Sequence, residues 1–214
     1  MFDRKKEKDN IVKFIREYFE KNNLGGVVIG ISGGKDSAVV AALFAEAIGS
    51  DRILGVTLPC HSLATDKSDA EIIAEHYKFR LVNLDLTNTY DTFKEEVYKS
   101  GDFIEEELLN SDINIKPRLR MTSLYYIAAL QTALKGKTYV VAGTSNKCEE
   151  FVGYFTKGGD NVCDIKTIAD YTVEEVLAIG EELNVPHDIL YKTPSDGLSG
   201  KSDEDKLGDR KSVV

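Results

Sequence analysis

The feature that most restricts the fold of this chain is a glycine-rich turn between an apolar strand and a helix. Residues 26–32 (GVVIGIS) form a short, nearly continuous apolar run, which is typical of a strand buried on both faces of a parallel sheet. The turn reads Gly-Ile-Ser-Gly-Gly-Lys-Asp-Ser over residues 30–37, and small residues at 38–48 predict a tightly packed helix. Strand, tight turn and helix form the first unit of an α/β fold.

The remaining chain repeats this alternation. Apolar runs predict strands at residues 53–58, 80–84 and 138–142, and helical patterns occupy about 65–77 and 117–134. Apolar residues between 11 and 19 recur with helical spacing, and Thr172-x-x-Glu175 is a capping-box pattern that begins a helix. We therefore predict an α/β protein with a doubly wound, mostly parallel sheet and helices on both faces. On the 117–134 helix we expect a buried stripe of Leu124, Ile127, Ala128 and Leu134, either in the core or at a subunit contact.

Length and charge limit the function classes. The 214 residues favour a single domain over 1–214, and 27 basic against 36 acidic residues give a net charge of -9. That balance argues against nucleic acid as a general partner, because phosphate binding needs clustered positive charge. The three cysteines lack paired spacing, and no apolar run approaches membrane-spanning length, so we expect a cytoplasmic protein without a membrane partner.

The turn at residues 30–37 carries the clearest chemical signal. Adjacent Gly33 and Gly34 permit unusual backbone angles, and their amides together with the following helix N-terminus form an anion cradle. Lys35 and two serines add donors, while Asp36 adds a hard oxygen ligand. The spacing is neither that of a Walker loop nor that of a dinucleotide-binding loop.

A second polar segment follows the strand at 138–142 and contains Thr144 and Glu149. In doubly wound folds, ligands bind outside the carboxyl ends of the strands, where both this segment and the glycine-rich turn fall. Glu149 and Asp36 could then converge on one Mg²⁺, which prefers few carboxylates and several phosphate or water oxygens.

The pattern Ser-Gly-Gly-x-Asp-Ser resembles the pyrophosphate loop of N-type ATP pyrophosphatases, which split ATP into AMP and pyrophosphate. Four further segments, LPCHS, IKPRLRMTSLYYIA, GTSNKCEEFVGYFTKGGD and TPSDGLSGKSDEDKLG, are similar to bacterial ammonia-dependent NAD synthetase. Two alternatives stay open at this point. One is another ATP pyrophosphatase, such as a GMP synthetase core or a tRNA thiolase, and the other is a non-catalytic nucleotide-binding module.

The resemblance implies ATP, deamido-NAD and ammonia as substrates, Mg²⁺ as cofactor, and a homodimer whose interface helps to form the deamido-NAD site. Lys35 and Asp36 are the implied catalytic residues, and Asp36 and Glu149 the implied metal ligands. Arg118, Lys157 and Asp164 are implied to contact deamido-NAD. The implied ATP contacts are Gly30, Ile31, Ser32, Gly33, Gly34, Lys35, Asp36, Ser37, Thr144 and Ser195.

The implied chemistry is adenylation of the nicotinate carboxylate followed by displacement of AMP by ammonia. A glutamine-dependent enzyme needs an additional amidotransferase domain, for which the chain has no room. Two departures from the family pattern stand out. Val173 occupies the position of a family lysine that contacts ATP, and the C-terminal segment is short. We also expect residues 194–208, rich in Gly, Ser and Asp, to act as a lid over the substrates.

Overall fold

One parallel sheet of five strands forms the centre of the described molecule. The computed structural model describes residues 2–61, 64–101 and 112–192, without the side chains of 64–67. The strands are β1 (Gly26–Gly30), β2 (Ile53–Thr57), β3 (Arg80–Asn83), β4 (Tyr139–Gly143) and β5 (Ile165–Lys166). The helices are α1 (Arg4–Lys21), α2 (Lys35–Ile48), α3 (Ala64–Tyr77), α4 (Thr87–Lys99), α5 (Ile115–Lys135), α6 (Lys147–Val152), α7 (Val173–Glu182) and α8 (His187–Leu190).

The strand order creates a crevice at the carboxyl edge of the sheet. The order is β3-β2-β1-β4-β5, so the chain builds outward from β1 in one direction and then returns to add β4 on its other side. Val28 in β1 is in register with Leu54 on one side and with Val141 on the other. Since β1 and β4 are neighbours whose connections diverge, the loops that follow them border the topological switch point where ligands bind in such sheets.

Helices cover both faces of the sheet, as the doubly wound pattern predicts. The larger core lies between the sheet and α1, α2, α3, α7 and α8, and the smaller core lies beneath α4 and α5. Helix α2 is central to the larger core because residues 38–44 are at most 1% exposed. Gly180 of α7 permits this packing, since a Cβ there would lie 2.5 Å from Leu190 and 2.9 Å from Val39.

Several predicted boundaries and one predicted stripe differ from the structure. Helix α1 begins at Arg4, earlier than the apolar spacing indicated, because the Asp3 side chain caps it by accepting from the Lys6 amide. Of the expected stripe on α5, Ala128 is buried, whereas Leu134 is 76% exposed and is not covered by the described chain.

Across the described parts of the chain, none of the helices combines the length and the apolar character that crossing a membrane requires. Cys60, Cys148 and Cys163 all lie in the described part of the chain and form no disulfide there.

Candidate active site

The glycine-rich loop (residues 30–37) leaves the sheet at the end of β1 and leads directly into α2. Strand pairing continues for one residue, because the Ile31 amide donates to the Val56 carbonyl at 2.9 Å. Gly33 then adopts a φ of 83°, a left-handed conformation that glycine enters without a steric penalty. This turn places the N-terminus of α2 at the carboxyl edge of the sheet, where the sequence predicted an anion cradle.

Hydrogen bonds between two serine side chains and the backbone of Gly34 stabilise the conformation of the loop. The Ser32 hydroxyl accepts from the Gly34 amide at 3.3 Å, and the Ser37 hydroxyl donates to the Gly34 carbonyl at 3.0 Å. Gly34 is the N-cap of α2 and supplies no side-chain acceptor to the first-turn amides. A 14-residue helix whose N-terminus lacks a side-chain cap favours an anion there, such as an ATP phosphate.

Lys35 and Asp36 place opposite charges in the first turn of α2. The Lys35 Nζ lies 3.1 Å from Asp36 Oδ2, and the two side chains are only 13% and 17% exposed. Because both groups are largely withdrawn from water, their charges act more strongly on a bound ligand than surface charges would. The structure therefore places both predicted catalytic residues together at the crevice.

The second loop runs from Thr144 to Asn146 and joins β4 to the six-residue helix α6. Asn146 caps α6, since its Oδ1 accepts from the amides of Cys148 at 2.9 Å and Glu149 at 3.2 Å. The Glu149 side chain completes a capping box by accepting from the Asn146 amide at 3.1 Å. This arrangement fixes the Glu149 carboxylate at the start of α6, and the half-buried Thr144 directly follows β4.

The two loops meet through Asn146. Its Nδ2 lies 3.4 Å from Asp36 Oδ1, a long hydrogen bond between side chains 110 residues apart in sequence. The sequence predicted that Asp36 and Glu149 would converge, because their strands end at the same edge of the sheet. In the structure both are hydrogen-bonded to Asn146.

The environment of Glu149 disfavours its charged form. Burial is the main cause and the nearby Asp36 carboxylate the second, and together they raise the pKa of Glu149 from 4.5 to about 7. Asp160 acts in the same direction, while the hydrogen bond from the Asn146 amide and the Lys35 charge oppose the rise. A carboxylate perturbed in this way at a crevice is typical of a functional site.

The donor set fits a magnesium ion held jointly by protein and substrate. Asp36 and Glu149 supply hard carboxylate oxygens, and their mutual repulsion would be relieved by a divalent cation. Within the described residues there is no cluster of three or more His, Cys, Asp or Glu side chains suited to a metal. Mg²⁺ prefers few carboxylates together with phosphate or water oxygens, and this pair of carboxylates fits that preference.

Arg118 and Lys157 lie together at the start of α5. The Arg118 Nε donates to the Lys157 carbonyl at 3.1 Å, and both residues are exposed. The loop that carries Lys157 is fixed on α5 by a hydrogen bond from the Thr156 hydroxyl to Asn114 Oδ1 at 2.8 Å. The Arg118 side chain is thus held against the Lys157 backbone, and both residues are exposed and accessible to an anionic ligand.

Asp164 lies separately from this basic pair. Its Oδ2 accepts from the Val141 amide at 2.7 Å, and its Oδ1 accepts from the Tyr125 hydroxyl at 3.1 Å. Burial, followed by the Asp164 charge, raises the pKa of Tyr125 to about 12, so the phenol keeps its proton as the donor. Since Arg118 and Tyr125 are seven residues apart on α5, about 10 Å separates the two contact points along the helix.

The remaining predicted residues fall at different places. Ser195 and the expected lid at 194–208 lie outside the described residues. Val173 begins α7, and the nearby Lys166 at the end of β5 forms an ion pair with Glu150. The His61 Nε2 lies 2.8 Å from Asp91 Oδ1.

Sequence reasoning missed Asn146 and Tyr125 as members of the site. Asn146 had a visible signal, because Asn-x-x-Glu over residues 146–149 is a capping-box pattern like the one recognised at Thr172. Tyr125 had no comparable signal. Its contact with Asp164 depends on how α5 packs across β4, which no local pattern specifies.

Comparison with protein families gives a match over almost the whole chain. The NAD synthase family model matches residues 7–213. The NH(3)-dependent NAD(+) synthetase of Carboxydothermus hydrogenoformans is 38% identical over 201 residues, which cover 94% of this chain and 79% of the relative.

Two solved structures also match most of the chain. NMN synthetase from Francisella tularensis superimposes with a TM-score of 0.86 at 32% identity, covering 98% of this chain and 83% of that one. NH3-dependent NAD synthetase from Campylobacter jejuni has a TM-score of 0.76 at 29% identity, covering 88% and 77% of the two chains.

Proposed function

The chain belongs to the NAD synthase family, and from that premise we propose how its crevice carries out ammonia-dependent NAD synthesis. The activity is that of a ligase that forms a C–N bond. It converts the nicotinate carboxylate of deamido-NAD to a carboxamide, with ATP as the activating co-substrate and ammonia as the nitrogen donor.

The reaction needs activation because a carboxylate has no adequate leaving group. A carboxylate oxygen of deamido-NAD attacks the α-phosphorus of ATP, and the bond to the β-phosphate oxygen breaks to release pyrophosphate. Ammonia then attacks the acyl carbon of the adenylate, which releases AMP and a proton. Neither step requires a protein nucleophile, so the protein contributes mainly position and charge.

The glycine-rich loop and the N-terminus of α2 would hold the ATP phosphates. The open first turn of α2 supplies amide donors, and Lys35 adds a positive charge that Asp36 orients from 3.1 Å. Asp36 and Glu149 would hold Mg²⁺ from the two sides of the crevice. Such an ion, when bound, neutralises phosphate charge and polarises the phosphoryl group as a Lewis acid.

The deamido-NAD site would lie along α5. Arg118 and Lys157 form its anion-binding part, and Asp164 forms a polar anchor kept in place by Tyr125 and the Val141 amide. These residues hold the larger substrate by charge and direct hydrogen bonds, against the overall negative charge of the chain.

A homodimer is the assembly that the surface of α5 favours. Tyr126, Leu130 and Leu134 are 66%, 43% and 76% exposed and are spaced by four residues, so they form an apolar stripe along one side of the helix. A second copy covering this stripe would bury apolar area and enclose the adjacent deamido-NAD residues.

The observation that carries the proposal is the convergence of Asp36 and Glu149 beside the open N-terminus of α2. The test is NAD formation from deamido-NAD, ATP, Mg²⁺ and ammonium, with glutamine supplied instead in a parallel assay. We expect NAD with ammonium only. Asp36→Asn, which keeps the side-chain shape, should abolish pyrophosphate release. Pyrophosphate release without a deamidated substrate would contradict the proposed reaction, and NAD formation from glutamine would contradict the ammonia dependence.

A second candidate is the amidation of nicotinate mononucleotide to NMN. The specific observation in its favour is the similarity to the Francisella NMN synthetase over 98% of this chain. Competition between deamido-NAD and nicotinate mononucleotide in one assay separates the candidates. A kcat/KM that favours the mononucleotide would establish the second one.

A further inference from the structure

We propose that Asn146 is a positioning residue that sets the spacing of the two magnesium carboxylates, an inference that rests on the proposed function. Asn146 is 1% exposed and belongs to the loop that follows β4, from which its side chain reaches Asp36 at the start of α2. It is hydrogen-bonded to both Asp36 and Glu149, and therefore acts on the cation through them rather than by direct contact.

The orientation of the Asn146 amide is determined by its surroundings. Its Oδ1 faces two backbone N–H donors, those of Cys148 and Glu149. Since those groups can only donate, the oxygen must point toward them and the Nδ2 must point the other way, toward Asp36 Oδ1 at 3.4 Å. The side chain thus uses its acceptor for α6 and its donor for α2.

The backbone of Asn146 completes the link. Its amide donates to Glu149 Oε2 at 3.1 Å, while Lys35 lies 3.1 Å from the other Asp36 oxygen. One oxygen of each carboxylate is therefore engaged by Asn146. A neutral donor bonded to both carboxylates reduces their repulsion and favours the charged form that a divalent cation binds.

Helix capping alone does not require asparagine at this position. The other capping box in the chain, at α7, uses the hydroxyl of Thr172 with Glu175. A hydroxyl can accept from the helix amides as Asn146 does, but it is too short to reach across to Asp36 as well. Serine or threonine at position 146 would therefore keep the cap and lose the connection between the loops.

The test measures metal binding apart from turnover. Asn146→Ser and Asn146→Thr retain a cap, and Asp3→Ala is the matched control, because it removes an N-cap from α1, a helix that carries neither Asp36 nor Glu149. Mn²⁺ binding is followed by loss of the free-ion EPR signal, with α,β-methylene-ATP present and well below each melting temperature. We expect the Mn²⁺ dissociation constant of both Asn146 variants to rise about tenfold or more, as for other residues that orient metal ligands. The wild-type value should persist in Asp3→Ala.

The possible outcomes distinguish a failure of the proposed role of Asn146 from a failure of the proposed function. Wild-type Mn²⁺ affinity in Asn146→Ser and Asn146→Thr would overturn the role of Asn146 and leave the proposed function intact. Equal weakening in Asp3→Ala would also overturn it, because general destabilisation would then explain the effect. Wild-type protein that binds no Mn²⁺ would refute the proposed metal site, and the role of Asn146 with it.

Discussion

Replacing Glu149 by glutamine should stabilise the metal-free protein, and the gain should increase with pH. The substitution keeps an oxygen that can accept from the Asn146 amide but removes the charge that lies buried beside Asp36. Burial and the Asp36 carboxylate raise the pKa of Glu149 from 4.5 to about 7. The folded protein therefore binds more protons than the unfolded chain between those values, and wild-type stability falls as the pH rises through that interval.

The size of the effect follows from the pKa difference. At about 1.4 kcal/mol per pKa unit, the difference between 4.5 and about 7 corresponds to a gain of about 3 kcal/mol for Glu149→Gln at pH 8. At pH 5 the folded-state carboxyl is mostly protonated, and the gain should shrink to about 1 kcal/mol. For a domain of this size, about 3 kcal/mol corresponds to roughly 6–12 °C in melting temperature.

Urea unfolding in EDTA at pH 5 and pH 8 measures both values. Glu175→Gln is the matched control, because that carboxylate occupies the same capping-box position in α7, a helix that carries neither Asp36 nor Glu149. A Glu149→Gln protein that is less stable than wild type at pH 8, or whose advantage is the same at both pH values, would refute the reasoning. In that case, Glu149 would not be a strained acid in the metal-free state.

Three further predictions address the rest of the site. Gly33→Ala should raise the KM for ATP at least severalfold, because φ 83° is strained for alanine. Gly136→Ala is the control, since Gly136 has a φ of 68° and lies in open space after α5. We expect Gly136→Ala to lose about as much stability in thermal melts as Gly33→Ala, while its KM for ATP stays unchanged. Arg118→Ala should raise the KM for deamido-NAD about tenfold in steady-state kinetics and leave the KM for ATP unchanged. Parallel changes in both constants would count against separate sites for ATP and deamido-NAD. Leu134→Arg should weaken dimerisation in sedimentation equilibrium, whereas an unchanged association constant would show that the α5 stripe is not the interface.

The sequence predicted the main layers of this fold because their signals are long and periodic. Strands β1, β2 and β4 are apolar runs, and α2 and α7 carry clear helical patterns, so their order alone indicated a doubly wound sheet. Helix α6 and strand β5 were not predicted. They have six and two residues, too few for a period to emerge, and β5 exists only through its pairing with β4.

The site was predictable where one segment carries the chemistry. The glycine-rich loop contains its turn, its donors and Asp36 within eight residues, and the strand-end rule placed Glu149 at the same edge. The connection through Asn146 was not predictable, because it joins residues 110 positions apart and depends on the distance between two loops. The exposure of Leu134 was also missed, since helical spacing alone does not show which apolar side chains of a helix the rest of the chain covers.

The central claim is that this crevice activates a nicotinate carboxylate by adenylation. Deamido-NAD labelled with ¹⁸O in that carboxylate tests it most directly, with mass spectrometry of the AMP released during NAD formation. Attack by the carboxylate on the α-phosphorus transfers one labelled oxygen to each AMP, and that is the predicted result. AMP without label, formed alongside NAD, would contradict the mechanism.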